Sequence, residues 1–216
     1  MERGRSANAV LASVALVVGA IVALSVAVVI HPGPLPGEQA SIRRWQMLAE
    51  PVPTVAEWVR LTTSTQATLV VAAVPALWVI RRYRRAGVVA VVIVVGTMLV
   101  AQPVLKEIVE RPRPTHAQVE VRAPYTSKSF PAGHSMSTTA AWGTAAIVAA
   151  RRGRTSIAVA LCVPIALTGA ASQVQGVHWP SDALAGTLLG ALAAGAAASV
   201  LLRAEPWAQE QLSRSS

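Results

Sequence analysis

The sequence KEIVERPRP, residues 106–114, is the first of three polar islands in an otherwise apolar chain. The second is SFPAGH, residues 129–134, and the third is GVHWPSD, residues 176–182. Each island carries side chains that bind ions or transfer protons, whereas the apolar runs in the rest of the chain are long enough to cross a bilayer. We therefore predict that apolar helices set the fold and bring the three islands to one site.

The composition is typical of a membrane protein. Of the 216 residues, 53% are apolar and 13% are charged, and the mean hydropathy is +0.50, which is unusual for a soluble domain. The formal net charge is +9, but the basic residues form short clusters between apolar runs. This distribution predicts membrane lipids, and no nucleic acid, as partners.

Six apolar stretches are long enough to span the membrane as helices. A cleaved signal peptide is the alternative for the first stretch, but its apolar region is longer than usual and no clear cleavage site follows it. We predict an all-α, six-helix integral membrane bundle that forms one domain, residues 1–216. The predicted spans are 10–30, 55–80, 86–105, 132–150, 156–175 and 183–202, followed by a cytoplasmic tail, 203–216.

Two local patterns refine this picture. Ile42, Trp45 and Leu48 recur at three-residue spacing after the first span, which predicts a short helix lying in the membrane interface. Gly186 and Gly190 form a small-xxx-small pair in the sixth span, which predicts close helix packing there.

The basic clusters predict the topology. An even number of spans places both termini on one side, and three clusters at that side carry almost no acidic residues: the N-terminus, Arg81–Arg85 and Arg151–Arg154. The positive-inside rule assigns this side to the cytoplasm. We thus predict a multi-pass protein of the cell membrane whose three polar islands face the extracytoplasmic side.

The first island is a candidate phosphate site. Lys106 offers a point charge and Arg113 a planar fork for phosphate oxygens, while Arg111 adds a third cation. The alternative is a basic anchor that contacts lipid head groups.

The second island places His134 at the predicted start of a helix. The free N–H groups of a helix start bind anions, and Gly133 permits close backbone approach. His134 would then donate a proton to a leaving oxygen. The alternative is an ordinary helix start with an interfacial histidine.

The third island pairs His178 with Asp182, four residues later. A carboxylate can hold one imidazole nitrogen and leave the other free as a nucleophile. The alternative is a capping aspartate beside an unrelated histidine. A metal site is the weaker interpretation, because the four histidines show no paired ligand spacing.

Together the islands resemble the type-2 phosphatidic acid phosphatase superfamily, in its membrane branch, related in fold to vanadium haloperoxidases. That family has Lys, six residues and Arg-Pro, matched here by Lys106 and Arg113-Pro114. It then has Pro-Ser-Gly-His, where this chain reads Pro131-Ala132-Gly133-His134. Its last motif is Ser-Arg, five residues, His, three residues and Asp, and here Ala171 and Ser172 stand at the Ser-Arg positions before His178 and Asp182.

The resemblance implies a metal-independent hydrolase without cofactors. His178 would attack phosphorus and form a phosphohistidine, Asp182 would orient it, and His134 would protonate the leaving group. Lys106, Arg113 and the Gly133 N–H would bind the phosphate oxygens. The implied substrate is a lipid phosphate or a polyprenyl diphosphate at the outer face.

Ala132, Ala171 and Ser172 depart from the family motifs, and these departures affect the expected rate of hydrolysis. Loss of one well-placed anion donor commonly costs about 10²–10³-fold. Arg111, Arg122 and Lys128 are the candidates to replace the missing arginine. An enzyme is the first interpretation, a non-catalytic membrane protein that binds a lipid phosphate is the second, and a transporter or structural bundle is the third.

Overall fold

The computed structural model describes residues 2–48 and 50–213, and this part of the chain is helical without strands. The predicted all-α class is therefore confirmed. A π-helical turn, Thr97–Ala101, joins α5 to α6. The α-helices are α1 (Glu2–Ile30), α2 (Glu38–Gln46), α3 (Val52–Thr62), α4 (Thr65–Tyr83), α5 (Arg85–Gly96), α6 (Gln102–Val109), α7 (Gly133–Arg151), α8 (Thr155–Val174) and α9 (Pro180–Ser213).

The second predicted span is broken rather than continuous. Residues 55–80 fall on α3 and α4, which meet at an angle of 57°. Ser64 starts the new helix, because its hydroxyl accepts a hydrogen bond from the Ala67 N–H at 3.1 Å. A hydropathy pattern contains no signal for this bend, since both helices are apolar.

Two helix ends also differ from the predicted bounds. The third span continues through α6 to Val109, so Lys106 lies within the helix rather than beyond it. The sixth predicted span ends at residue 202, but α9 continues to Ser213. Most of the predicted tail is thus helical, and residues 214–216 lie outside the described residues.

Within the described residues, four helical segments are long and apolar enough to cross a membrane, or five if α3 and α4 form one span. α7 is not among them, because it buries a polar stretch, Ser135, Ser137, Thr138 and Thr139, that lowers its hydropathy. Six spans and the orientation of the termini therefore stay predictions. The segments that qualify are Leu11–Ile30, Arg85–Val109, Thr155–Val174 and Pro180–Pro206.

α7 and α9 pack against each other at the centre of the bundle. A Cβ atom on Gly190 would lie 2.6 Å from the Met136 carbonyl oxygen, and one on Gly186 would meet the Ala132 carbonyl oxygen. Both clashes are with backbone, which cannot rotate away. The close packing predicted for the small-xxx-small pair is confirmed.

We expect Gly190→Ala to destabilise the protein, by about 1–3 kcal/mol, since it overpacks this contact. Gly195→Ala is the matched control on the same helix, because a Cβ atom there meets no atom within 4 Å. It should leave stability unchanged or raise it by about 0.5–1 kcal/mol. Thermal unfolding in detergent measures both, and equal midpoints for the two variants would contradict the packing argument.

The loop between α6 and α7 folds over one end of the bundle and joins the three islands. The Ser129 N–H donates to the Arg111 carbonyl at 2.9 Å, and the Ala132 N–H donates to the Asp182 carbonyl at 3.0 Å. The short predicted helix is α2, whose Ile42 is fully buried against Val119 and Trp179. These contacts hold the ends of α2, α7 and α9 together around one site.

Candidate active site

A cavity of about 200 Å³ lies where the three islands meet. Arg113 lines it from the first island, His134 from the second and His178 from the third. The structure thus brings both candidate histidines and one candidate cation to a single enclosure. Other residues that line it include Arg60, Tyr125, Ser127, Ala132, Ser135, Ser172 and Val177.

His178 is buried in the wall of this cavity, just before the start of α9. Its Nδ1 atom lies 3.7 Å from Asp182 Oδ2 and 3.5 Å from Ser129 Oγ. The Ser129 hydroxyl in turn donates to Asp182 Oδ2 at 2.5 Å. Ser129 therefore lies between the imidazole and the carboxylate, a position that sequence reasoning did not identify.

The other ring nitrogen faces Arg113. Arg113 Nη1 lies 3.2 Å from His178 Nε2, and a guanidinium has donors but no acceptor. Nε2 must therefore accept, which places the ring proton on Nδ1, toward Asp182. This tautomer leaves the Nε2 lone pair directed at Arg113 in the cavity wall.

The ionisation of His178 agrees with this tautomer. Burial, together with the adjacent Arg113 cation, lowers the pKa of His178 to about 3, although Asp182 opposes the shift. Burial also lowers the pKa of Arg113 to about 10, again opposed by Asp182. At neutral pH the site thus holds a neutral imidazole beside a cationic guanidinium.

Asp182 is held by a buried ionic network. Its Oδ2 accepts from the Trp179 N–H at 2.8 Å, and its Oδ1 forms an ion pair with Arg111 Nη1 at 2.6 Å. Arg111 also pairs with Glu38 of α2 at 2.7 Å. Glu38 Oε1 accepts from the backbone N–H and the hydroxyl of Ser181 at 2.9 Å and 2.6 Å. The carboxylate beside His178 is thereby fixed in place.

Lys106 and Gly133 lie near the cavity but do not line it. Lys106 is buried, and its Nζ donates to the Lys128 carbonyl at 2.5 Å and to Ser127 Oγ at 3.2 Å. Arg113 Nη2 donates to the same Ser127 hydroxyl at 3.2 Å. Gly133 is packed against the Gln102 side chain, which occupies the space that a Cβ atom would need.

His134 lies in the first turn of α7. Its ring hydrogen-bonds to the Arg60 backbone, while its Nε2 atom is buried without a hydrogen-bond partner. The neighbouring Ser135 hydroxyl is likewise buried without a partner. These unpaired groups at the cavity wall can bind a polar ligand.

The three cations predicted to replace the missing arginine do not line the cavity. Arg111 is committed to Glu38 and Asp182 as described. Arg122 pairs with Glu120 at 2.8 Å, and Lys128 pairs with Glu110 at 3.5 Å. Each of these side chains is paired with a carboxylate, so the structure does not bring any of the three cations into the cavity. Among the described residues, no group of three His, Cys, Asp or Glu side chains has the arrangement of a metal site.

Residues 85–205, more than half of the chain, match the family model of the PAP2 superfamily. The matched region contains all three islands. The sequence is also 39% identical over 88 residues to decaprenylphosphoryl-5-phosphoribose phosphatase of Mycobacterium tuberculosis, in strains CDC 1551 / Oshkosh and ATCC 25618 / H37Rv. This match covers 40% of the chain and 46% of each relative, so the chain spans about half the length of the curated relatives it matches.

The fold is similar to that of a solved membrane protein. The crystal structure of a transmembrane PAP2 type phosphatidylglycerolphosphate phosphatase from Bacillus subtilis aligns with a TM-score of 0.71. The alignment covers 91% of this chain and 96% of that chain at 20% sequence identity. At this identity the likeness shows the fold.

Proposed function

This chain is a membrane protein of the PAP2 superfamily of phosphatases, and we propose that it hydrolyses a lipid phosphate or polyprenyl diphosphate through a phosphohistidine. One observation carries the proposal. His178, with its ring proton directed toward Asp182 and its Nε2 beside Arg113, lies in the wall of a cavity that His134 also lines.

In the proposed first step, His178 Nε2 attacks phosphorus and the bond from phosphorus to the leaving oxygen breaks. His134, protonated when the anionic substrate is bound, donates a proton to that oxygen and becomes neutral. The positive charge that develops on the His178 ring is stabilised by Asp182, directly and through the Ser129 hydroxyl. In the second step water attacks phosphorus, His134 takes the water proton, and the N–P bond breaks to release phosphate and neutral His178.

The proposed cradle for the phosphate oxygens is cationic. Arg113 offers a planar fork at the cavity, and Lys106 adds positive charge from behind Ser127. The Gly133 N–H at the start of α7 adds the positive end of a helix dipole. Phosphoryl transfer depends mainly on such positioning and charge stabilisation. No metal has a step in this mechanism, so we propose that the reaction is metal-independent.

We also propose a membrane topology, which sets the side of the membrane on which the cavity lies. Six spans with both termini in the cytoplasm would place the cavity at the outer face of the cell membrane, where a lipid tail stays in the bilayer while its phosphate enters. The relatives act, by name, on a phosphorylated polyprenyl sugar and on phosphatidylglycerolphosphate. Both are lipid phosphates, so the substrate class we propose for this chain is the same.

The test is phosphate release by the purified full chain, with EDTA present, from a panel of four lipids. The panel holds decaprenylphosphoryl-5-phosphoribose, phosphatidylglycerolphosphate, phosphatidate and a polyprenyl diphosphate. We expect release from at least one substrate, undiminished by EDTA and inhibited by vanadate. Binding of these lipids without any turnover would instead favour a non-catalytic lipid-phosphate-binding protein, the alternative that the departures at Ala132, Ala171 and Ser172 motivate.

A further inference from the structure

Arg60 lies in α3, outside all three islands, yet it lines the same cavity as Arg113 and His178. Its Nε atom is buried without a hydrogen-bond partner. In the part of the chain that the structure describes, no carboxylate lies within ion-pair distance of its guanidinium. A partly buried cation without a counterion is unfavourable, and an anion in the cavity would remove this cost.

The packing of α3 explains how Arg60 reaches the site. Ala56 packs against Ala171 and Val174 of α8, and Arg60 follows Ala56 by one helical turn on the same face. The Gln175 side chain fixes the start of α3, since its Nε2 donates to the Pro53 carbonyl at 3.1 Å. Two small alanines thus let α3 lie directly against the helix that carries Ser172.

Ser172 and His134 line the same cavity as Arg60. The Ser172 hydroxyl is committed to the Gly169 carbonyl at 2.7 Å. The Arg60 backbone hydrogen-bonds to the His134 ring. Arg60 and His134 therefore adjoin in the cavity wall, whereas Arg113 lies beside His178.

We propose that Arg60 is a phosphate-binding residue of this site and provides the cation that Ser172 does not. The inference rests on the proposed function for the identity of the anion, a phosphoryl group. The planar guanidinium would contact its oxygens opposite Arg113, so that two forks hold one phosphate.

The first test measures binding without turnover. Isothermal titration of the purified full chain with orthovanadate, a phosphate analogue, should show binding at least about 10-fold weaker for Arg60→Gln than for wild type, because one charged donor pair is lost. Arg44→Gln is the matched control. Arg44 is an exposed arginine of α2, and its variant should bind like wild type. Equal binding by Arg60→Gln and wild type would overturn the proposal.

The second test asks whether an arginine placed on α8 can replace the positive charge of Arg60. In the Arg60→Gln background, Ser172→Arg should recover part of the lost vanadate affinity, since both positions face the same cavity. If Arg60→Gln does not fold, Arg60→Lys replaces it. Lysine keeps the charge without the fork, so a several-fold weaker affinity supports the proposal and an unchanged affinity contradicts it.

Different results would contradict the proposed enzymatic function and the proposed role of Arg60. If wild type binds vanadate but releases phosphate from no lipid, the proposed enzymatic function is wrong, and the Arg60→Gln titration still decides the role of Arg60. If wild type is active and Arg60→Gln matches it in both affinity and rate, only the role of Arg60 is wrong. If wild type does not bind vanadate, the anion site itself is absent and both proposals fall.

Discussion

His178→Ala should reduce phosphate release by about 10⁴-fold or more, the largest effect expected from any single change in this chain. Loss of a nucleophile removes the covalent route itself, whereas loss of a binding group only weakens it. The measurement is the rate of phosphate release with the best lipid of the panel. A residual rate within about 10-fold of wild type would rule out His178 as the nucleophile.

Two controls separate chemistry from folding in this experiment. His116 is an exposed histidine in the loop that covers the site, so His116→Ala should keep the wild-type rate. His178→Asn keeps a polar side chain in the buried position and should be as inactive as His178→Ala while unfolding near the wild-type temperature. Brief incubation of wild type with radiolabelled substrate should yield an acid-labile phosphoprotein, which neither His178 variant should form.

Arg111→Gln should destabilise the fold by about 3–5 kcal/mol, because it leaves two buried carboxylates without their cation. Arg111 is fully buried and pairs with both Glu38 and Asp182. We expect a large fall in the thermal unfolding midpoint in detergent, or failure to accumulate as folded protein. A variant that unfolds at the wild-type temperature would show that the network contributes little to stability.

Arg113→Gln is the matched control, two residues away in the same island. Arg113 lines the cavity and makes no ion pair in the described structure, where it donates to the Val177 and Ser127 carbonyls. Its loss should slow phosphate release by about 10²–10³-fold while shifting the unfolding midpoint much less than Arg111→Gln. Arg113→Gln is thus expected to lose activity and keep most of its stability, whereas Arg111→Gln is expected to lose stability.

Sequence reasoning reached the candidate site because its motifs are local. The spacing of Lys106 to Arg113 and of His178 to Asp182 lies within single islands, so residue types and intervals carry the signal. The break after Thr62 in the second predicted span has no such local signal, since hydropathy reports how apolar a segment is and not its direction. The island sequence gives Ser129 no role, because nothing local shows that it lies between His178 and Asp182.

The sequence by itself determined the helical class, the membrane character and the family, since these depend on composition, apolar length and short-range spacing. Only the tertiary structure decided which cations line the cavity and which form buried ion pairs that stabilise the fold. Glu38 lies 143 residues from Ser181 along the chain, and Arg60 reaches the cavity from a helix outside every island. The function of a charged side chain depends on which counterion or ligand lies within a few ångströms of it, and helix packing sets that distance independently of separation along the chain.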